Sequence, residues 1–177
     1  MTAEDAKTEA LQLFRQGRYE QALAAFETAV GAYAAEKDDA GRGEMLNNIG
    51  VVRRLLGQPE AARAALTEAE TLFAGLGDKV RQGQAMGNLA DVHAQTKDRT
   101  AAARAYSSAA QLFAEAGDGE KQAQVLRALS LLRLRQGQFV TAMMHMEQSL
   151  SARPRVGVGG WLFRALLRFA LRLFGGG

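Results

Sequence analysis

Apolar and polar residues are interleaved at the start of the chain in two runs of helical length. The first run extends from about Ala3 to Gln16 and the second from about Arg18 to Ala35, so the pattern predicts two helices. Gly17 separates them, and glycine adopts the left-handed conformation that ends a helix without the steric cost that other residues meet. The sequence therefore predicts a pair of helices joined by a tight turn.

This pattern returns every 40 residues. Small residues recur at one phase and bulkier residues four positions later, which lets two helices approach closely while the larger side chains fill the adjacent groove. The aligned positions are Ala22, Ala62, Ala102 and Ala142, then Phe26, Leu66, Tyr106 and Met146, and then Ala29, Ala69, Ala109 and Ser149. Four repeats are predicted, at about residues 3–42, 43–82, 83–122 and 123–152.

The turns inside the repeats vary in sequence. The turn glycine recurs at Gly57 and Gly137, whereas Lys97 interrupts the series. Pro59 is expected at the first position of a helix, where its missing N–H costs nothing. In the third repeat, Thr100 is the predicted N-cap.

These residues together resemble the tetratricopeptide repeat. The matching positions are Ala10, Gly50, Ala90 and Ser130 in the first helices, Gly17 and Tyr19 at the turn, and Ala22, Phe26 and Ala29 in the second helix. The proline that usually ends the second helix occurs only as Pro154, and Gly-Asp steps stand at positions 77–78 and 117–118. This longer period, and the stretch from residue 77 to 90, are similar to the 40-residue subclass of Pins/LGN-type spindle adaptors, kinesin light chains and many bacterial repeat proteins.

The resemblance covers about residues 3–152 and implies an all-α fold, a right-handed α-α superhelix of four helix pairs. The first helices of such an array line a concave surface that binds an extended peptide or a helix of a partner protein. On the repeat register, the predicted peptide-binding positions are Lys7, Leu11, Arg15, Asn47, Asn48, Val51, Arg54, Gln84, Asn88, Asp91, Gln95, Arg127, Leu131 and Arg135, with Gln124 beside them.

Two features of these positions bear on the ligand. In the proteins that the sequence resembles, asparagines at the phase of Asn48 and Asn88 hydrogen-bond the backbone of a bound peptide; the alternative is that they bond within their own helix layer or face water. The basic groove positions favour an acidic ligand, unless they are solvated charges scattered among acids. Leu11 stands where the family's clamp for chaperone C-terminal carboxylates requires asparagine, so that specific function is not expected.

Candidate chemistry is sparse. His93 and His145 lack a second histidine or carboxylate three or four residues away in ligand geometry, and both are expected to be packed or half-exposed. The methionines around His145 are expected to provide adaptable packing, or a sticky surface near the end of the chain, more than a copper-type ligand set. The sequence has no cysteine, no glycine-rich phosphate-binding loop and no nucleophile elbow. We therefore expect no enzyme activity, no metal site and no cofactor.

Charge is distributed unevenly in a chain of otherwise ordinary composition, 47% hydrophobic and 23% charged over 177 residues. Residues 1–150 hold 17 Lys and Arg against 19 Asp and Glu, whereas residues 151–177 hold five Arg and no acid. A mildly acidic body argues against a nucleic-acid partner. The lack of cysteine and a first segment unlike a signal peptide predict a cytoplasmic protein.

The composition changes after residue 152. Residues 153–160 are predicted to be a glycine-rich linker, and residues 161–177 a cationic amphipathic helix. Arginines recur every four residues and occupy an arc of about 80°, which leaves a wide apolar face on a helix too short and too charged to cross a bilayer alone. The predicted membrane- or partner-binding residues are Trp161, Phe163, Arg164, Arg168, Phe169, Arg172 and Phe174.

Three roles are compatible with this helix. It lies in the interface of an anionic membrane, which would hold the protein at the inner membrane face, or it caps the fourth repeat, or it docks into a partner or another copy. The predicted function is a non-catalytic adaptor that binds a protein or peptide in its groove and is held at a membrane surface or in a larger complex by this helix. The alternative is a self-assembling structural protein, a homo-oligomer whose terminal helix packs on its own or a neighbouring array.

Overall fold

The computed structural model describes residues 2–153 and 158–174. Every regular element in these two ranges is an α-helix, and successive helices pack on one another in chain order, with an additional contact between the third and the fifth. The helices are α1 (Ala3–Arg15), α2 (Tyr19–Ala35), α3 (Asp39–Leu55), α4 (Pro59–Gly75), α5 (Lys79–Gln95), α6 (Arg99–Glu115), α7 (Gly119–Leu134), α8 (Phe139–Ala152) and α9 (Val158–Phe174). The prediction of an all-α array of four helix pairs followed by one further helix is confirmed.

Aspartate side chains begin four of these helices. Asp38, Asp78, Asp98 and Asp118 each accept a hydrogen bond of 2.9–3.0 Å from the backbone N–H three residues on. Each bond satisfies a donor that the first turn of a helix leaves unpaired. The prediction for Thr100 is therefore wrong, because Asp98 is the N-cap of α6 and Thr100 lies within its first turn.

The repeats begin earlier than predicted. Helices α3, α5 and α7 start at Asp39, Lys79 and Gly119, four residues before the predicted boundaries at 43, 83 and 123. The predicted boundaries are 40-residue intervals counted from Ala3, and α1 has 13 residues whereas α3 and α5 have 17. Asp38, Asp78 and Asp118 set where the first helices of the later repeats begin, and Thr2 caps α1.

The turns contain left-handed residues, as predicted from their glycines. The turn glycines, with φ between 68° and 73°, are Gly17, Gly57, Gly77, Gly117 and Gly137. Lys37 and Lys97 occupy equivalent turns with φ of 59° and 63°. A side chain in this conformation costs about 1–2 kcal/mol, so these two turns are strained relative to the others.

Small residues bring the two helices of each repeat together, and the repeat alanines are buried as predicted. Gly50 lies so close to Leu66 that a Cβ atom on Gly50 would be 2.4 Å from Leu66 Cγ. The fourth repeat has Ser130 at this position, and its buried hydroxyl donates to the carbonyl of Ala142 at 2.7 Å. The close approach is thus kept, although the residue differs.

The last helix is longer at its start than predicted. Because α9 begins at Val158, residues 158–160 are helical and do not belong to a linker. Residues 154–157 of the predicted linker, residues 175–177 of the predicted helix and the side chain of Phe174 lie outside the part of the chain that the structure describes. Within the described ranges, no helix combines the length and the apolarity needed to span a bilayer.

Candidate functional site: a concave groove and an exposed helix

A groove opens between the first helices of the second, third and fourth repeats. It contains a cavity of about 650 Å³, a size typical of ligand sites. Helices α3, α5 and α7 supply most of the wall, and α4 and α6 add aromatic rings. The lining residues are Glu44, Asn47, Asn48, Phe73, Arg81, Gly83, Gln84, Gly87, Asn88, Asp91, Tyr106, Phe113, Lys121, Gln124, Val125 and Ala128.

Two asparagines connect α3 and α5 in this wall. The Nδ2 atom of Asn88 donates to Oδ1 of Asn47 at 2.9 Å. An amide group carries two donor hydrogens and an acceptor oxygen, so this one bond leaves hydrogen-bonding capacity on both side chains. Asn48 is half-buried beside them. The pair therefore presents fixed amide donors and an acceptor within the groove.

A tyrosine and an aspartate form a second polar pair in the cavity. The hydroxyl of Tyr106 donates to Oδ1 of Asp91. Burial raises the pKa of Tyr106, and the hydrogen bond to Asp91 raises it further, while the charges of Arg54 and Arg135 oppose the shift. The hydroxyl is therefore protonated at neutral pH, and two arginines lie near this pair.

The basic residues on the predicted groove register differ in their pairing. Lys7 lies 3.2 Å from Oε2 of Glu44 and 3.7 Å from Oε1 of Glu4. The arginines on this register that have no carboxylate within 4.0 Å, among the residues described, are Arg15, Arg54, Arg127 and Arg135. These unpaired guanidinium groups are available to an acidic ligand.

Helix α9 rests on α8 along one edge, where Leu167 is buried. The Nε atoms of Arg164 and Arg168 donate to the same oxygen of Glu147, at 3.1 and 2.7 Å. The hydroxyl of Ser151 donates to that oxygen at 3.0 Å. Burial raises the pKa of Glu147, but these hydrogen bonds outweigh it and hold the pKa below its usual value. Glu147 is therefore ionised at neutral pH and binds two of the three arginines that recur every four residues along α9.

Apart from this contact with α8, much of the surface of α9 is apolar and exposed. Trp161 is 65% exposed, Phe169 64% and Leu166 58%, and Leu162 and Phe163 are exposed beside them. A contiguous apolar surface of this kind marks a site of interaction. The predicted residues Trp161, Phe163, Phe169 and Arg172 therefore lie on accessible surface.

The repeats seen in the structure also match a known family in sequence. A profile described as the tetratricopeptide repeat matches residues 6–74 and 81–155, which is most of the chain. The chain belongs to the tetratricopeptide repeat family. Proteins of this family are interaction scaffolds that bind proteins or peptides and are typically non-catalytic. No curated protein matches the sequence.

Solved structures of tetratricopeptide repeat proteins have the same fold. BtubC (BKLC) from P. vanneervenii is 18% identical, with a TM-score of 0.76 over 88% of this chain and 68% of that chain. MamA is also 18% identical, with a TM-score of 0.62 over 93% of this chain and 85% of that chain. At this identity the similarity concerns the fold alone, and it confirms the predicted right-handed superhelix.

The structure brings part of the predicted groove together. The predicted positions that line the cavity are Asn47, Asn48, Gln84, Asn88 and Asp91, with Gln124 beside them. Those outside it, all on exposed or half-buried surface, are Lys7, Leu11, Arg15, Val51, Arg54, Gln95, Arg127, Leu131 and Arg135. Their accessibility is compatible with ligand contact, and their role in binding stays a prediction.

Sequence reasoning missed the aromatic side of the cavity, because it considered the first helices of the repeats alone. Phe73, Tyr106 and Phe113 come from the second helices. A Cβ atom on Gly83 would lie 3.1 Å from the ring of Phe113, so glycine makes room for that ring. The signal was present, since Tyr33, Phe73 and Phe113 recur at intervals of 40 residues. The other lining residues that were missed are Glu44, Arg81, Gly83, Gly87, Lys121, Val125 and Ala128.

The two histidines differ in their hydrogen bonding, since the buried Nδ1 of His93 has no partner among the described residues. His93 is half-buried, and burial lowers the pKa of His93, so it is neutral at pH 7. Nδ1 of His145 lies 3.2 Å from Oε1 of Gln148. In the part of the chain that the structure describes, no three His, Asp or Glu side chains are grouped to hold a metal ion.

Proposed function

We propose that this tetratricopeptide repeat protein is a non-catalytic adaptor. Its groove binds a protein or peptide ligand, and α9 attaches the array to a membrane surface or to a larger complex. One observation carries the proposal: an open polar groove and an exposed apolar helix occupy different parts of the molecule. Two such surfaces allow two partners to be held at once.

The side chains of the groove support a peptide ligand. The joined amides of Asn47 and Asn88 offer both donors and acceptors, which match a peptide backbone whatever its sequence. The unpaired Arg54 and Arg135, near Tyr106 of the cavity, favour acidic side chains, because a guanidinium group binds a carboxylate through two parallel hydrogen bonds. We therefore expect the ligand to be extended and acidic.

The groove is tested with a double variant, Asn48→Ala with Asn88→Ala. A ligand captured by the full chain is purified, and its affinity is measured for the wild type, for this variant and for Gln21→Ala, a control on an exposed position of α2. Loss of two hydrogen-bonding groups should weaken binding about tenfold or more, and the control should bind like the wild type. Unchanged affinity of the double variant would contradict the groove assignment.

The exposed face of α9 supports attachment more than capping. A cap buries its apolar face on the last repeat and shows a broad polar face to solvent, whereas α9 presents its aromatic side chains outward. Comparing the full chain with a chain that ends at Arg153 tests the attachment. The full chain should float with anionic liposomes or co-purify with a complex, and the shortened chain should do neither. Equal behaviour of the two chains would remove α9 from the proposal.

Self-assembly is the second candidate function, and the same exposed face favours it. In this case the apolar side of α9 packs on a neighbouring copy. Light scattering without lipid would then show an oligomer that grows with protein concentration and becomes a monomer when the chain ends at Arg153. A monomer at all concentrations would exclude self-assembly and favour the adaptor function.

A further inference from the structure

The charges around α9 indicate what its exposed face binds. We propose that this face binds the surface of an anionic bilayer, and that Arg164 and Arg168 then exchange Glu147 for lipid phosphates. This inference rests on the attachment role proposed above for α9. It adds the chemistry of the partner and the contact that competes with binding.

A hollow on α9 has the residues that an anionic headgroup requires. It measures about 300 Å³ and is lined by Trp161, Arg164, Ala165, Arg168, Phe169 and Arg172. Guanidinium groups match the oxygens of a phosphate through paired hydrogen bonds. Tryptophan is enriched at the level of the headgroups in membranes. Three arginines and two aromatic rings in one hollow therefore fit a phosphate at a membrane interface.

The geometry of the helix places this hollow at the level of the lipid headgroups when the apolar side chains face the acyl chains. Successive residues turn by about 100° around a helix, so Leu166 lies nearly opposite Arg168. The exposed side formed by Leu162, Leu166 and Phe169 faces the acyl chains when the arginines extend to the headgroups. The arrangement is that of a helix lying in the membrane plane.

A second copy of this chain fits the face poorly. Residues 151–177 contain five Arg and no acid, so two α9 helices in contact would bring like charges together. The groove of another copy has aromatic rings, but it also carries polar amides and the unpaired Arg54 and Arg135 near the Tyr106 hydroxyl, and an apolar face would leave these groups without hydrogen-bond partners. A bilayer with a negatively charged surface and an apolar interior can bind both the arginines and the apolar side chains of α9.

Glu147 competes with such a surface. It is the only acidic residue after Glu120, its side chain is 18% exposed, and a single oxygen accepts the Nε groups of Arg164 and Arg168. Arg172 is exposed and takes no part in this contact. The carboxylate of Glu147 therefore competes with lipid phosphate for two of the three arginines, whereas it makes no such contact with Arg172.

Trp161 provides the readout, because it is the only tryptophan in the chain. The full chain is titrated with phosphatidylcholine vesicles, with and without phosphatidylglycerol, while the emission of Trp161 is recorded. We expect a blue shift only with the anionic lipid. Glu147→Gln should bind these vesicles about five- to tenfold more tightly, since arginines released near an anionic surface strengthen binding by about this factor. Glu36→Gln removes the same charge at an exposed position after α2 and should bind like the wild type.

A pair of arginine variants separates exchange from a general charge effect. In the wild-type background, Arg172→Gln should weaken vesicle binding more than Arg168→Gln, because Glu147 competes with lipid phosphate for Arg168 and not for Arg172. In the Glu147→Gln background, the two substitutions should weaken binding equally. Circular dichroism confirms that each variant keeps its helix content.

The outcomes distinguish the inference from the function on which it rests. Equal or weaker vesicle binding by Glu147→Gln overturns the exchange and leaves attachment intact. Equal binding to vesicles without phosphatidylglycerol overturns the anionic partner. No shift of Trp161 with any vesicle, together with an oligomer in light scattering, overturns both the bilayer and the attachment role, and favours self-assembly.

Discussion

Helices α1–α6 and helices α7–α9 differ in what they leave exposed. Up to residue 118, the large apolar side chains on the surface are Leu55 and Leu76, one at the end of a helix and one in a turn. In the described part of the chain beyond it, they are Leu131, Leu134, Phe139, Met144, Trp161, Leu162, Phe163, Leu166 and Phe169. The first region therefore leaves few large apolar side chains exposed, and Leu129 and Leu132 of α7 complete part of its core. The second carries apolar surface that folding does not require, which points to a partner.

The largest expected difference between the two regions comes from replacing one phenylalanine in each of them by alanine. Phe26 is 1% exposed in the core, and Phe26→Ala should lower the free energy of unfolding by about 3–5 kcal/mol. Phe169 is 64% exposed, and Phe169→Ala should change that free energy by no more than about 0.5 kcal/mol. Urea denaturation followed by circular dichroism measures both. A comparable loss for Phe169→Ala would mean that the face of α9 is buried in solution.

Two glycine variants test the close packing of helices in the first region. Gly50→Ala should cost about 1–3 kcal/mol, because the new Cβ atom would overlap Leu66, which is fully buried. The matched variant Gly31→Ala lies within α2, where nothing is within 4 Å of the new atom, and it should stabilise the protein by about 0.5–1 kcal/mol. Thermal unfolding of the two variants should therefore shift in opposite directions. Shifts of the same sign would contradict the close packing at Gly50.

The turns allow a smaller test within the repeats. Lys97 has a φ of 63°, in a turn where other repeats have glycine. Lys97→Gly should stabilise the protein by about 1 kcal/mol, because it removes the steric cost of a left-handed side chain. Gly57→Ala creates that cost in the equivalent turn, where φ is 72°, and should be destabilising by about the same amount. Equal denaturation midpoints for the two variants would contradict the steric cost assigned to left-handed side chains in these turns.

The smallest expected effect concerns pH and the contact between α8 and α9. The pKa of Glu147 is held below its usual 4.5 in the folded protein. A carboxyl group with a lowered pKa stabilises the fold above its unfolded pKa and loses that contribution as the pH falls through the folded value. The anisotropy of Trp161 should therefore be constant from neutral pH to about 4.5 and fall below it, as α9 loosens. Glu147→Gln should show no such transition, and a transition near neutral pH would contradict the assignment to Glu147.

Much of the fold could be predicted because each repeat carries its own local signals. The turn at Gly17 and the alanines on one phase specify a helix pair without reference to the rest of the chain. The starts of the second, third and fourth repeats were predicted four residues too late, although Asp38 is a standard helix cap, because 40-residue intervals were counted from Ala3, where the shorter α1 begins. Residues 158–160 were assigned to a linker because glycine disfavours helices, and the strong helix that follows overrides this preference.

The groove was less predictable than the fold. Asn47 and Asn88 line the cavity because both lie on first helices, whose inward positions follow from the repeat register, and their role in binding stays a prediction. Phe113 was missed because it reaches the cavity from a second helix, next to Gly83, and such a contact depends on how two repeats stack. The pairing of Glu147 with α9 was also beyond the sequence, since the intervening residues do not fix where that helix packs.

The accessibility of Trp161 in solution shows whether α9 is free or covered. In the structure α9 exposes its apolar side chains to solvent, and Trp161 is 65% exposed. Quenching by acrylamide at low protein concentration should therefore approach that of a fully solvated tryptophan, with emission at long wavelength. Protected, blue-shifted emission in the absence of lipid or partner would contradict the account, because it would show that α9 is already covered.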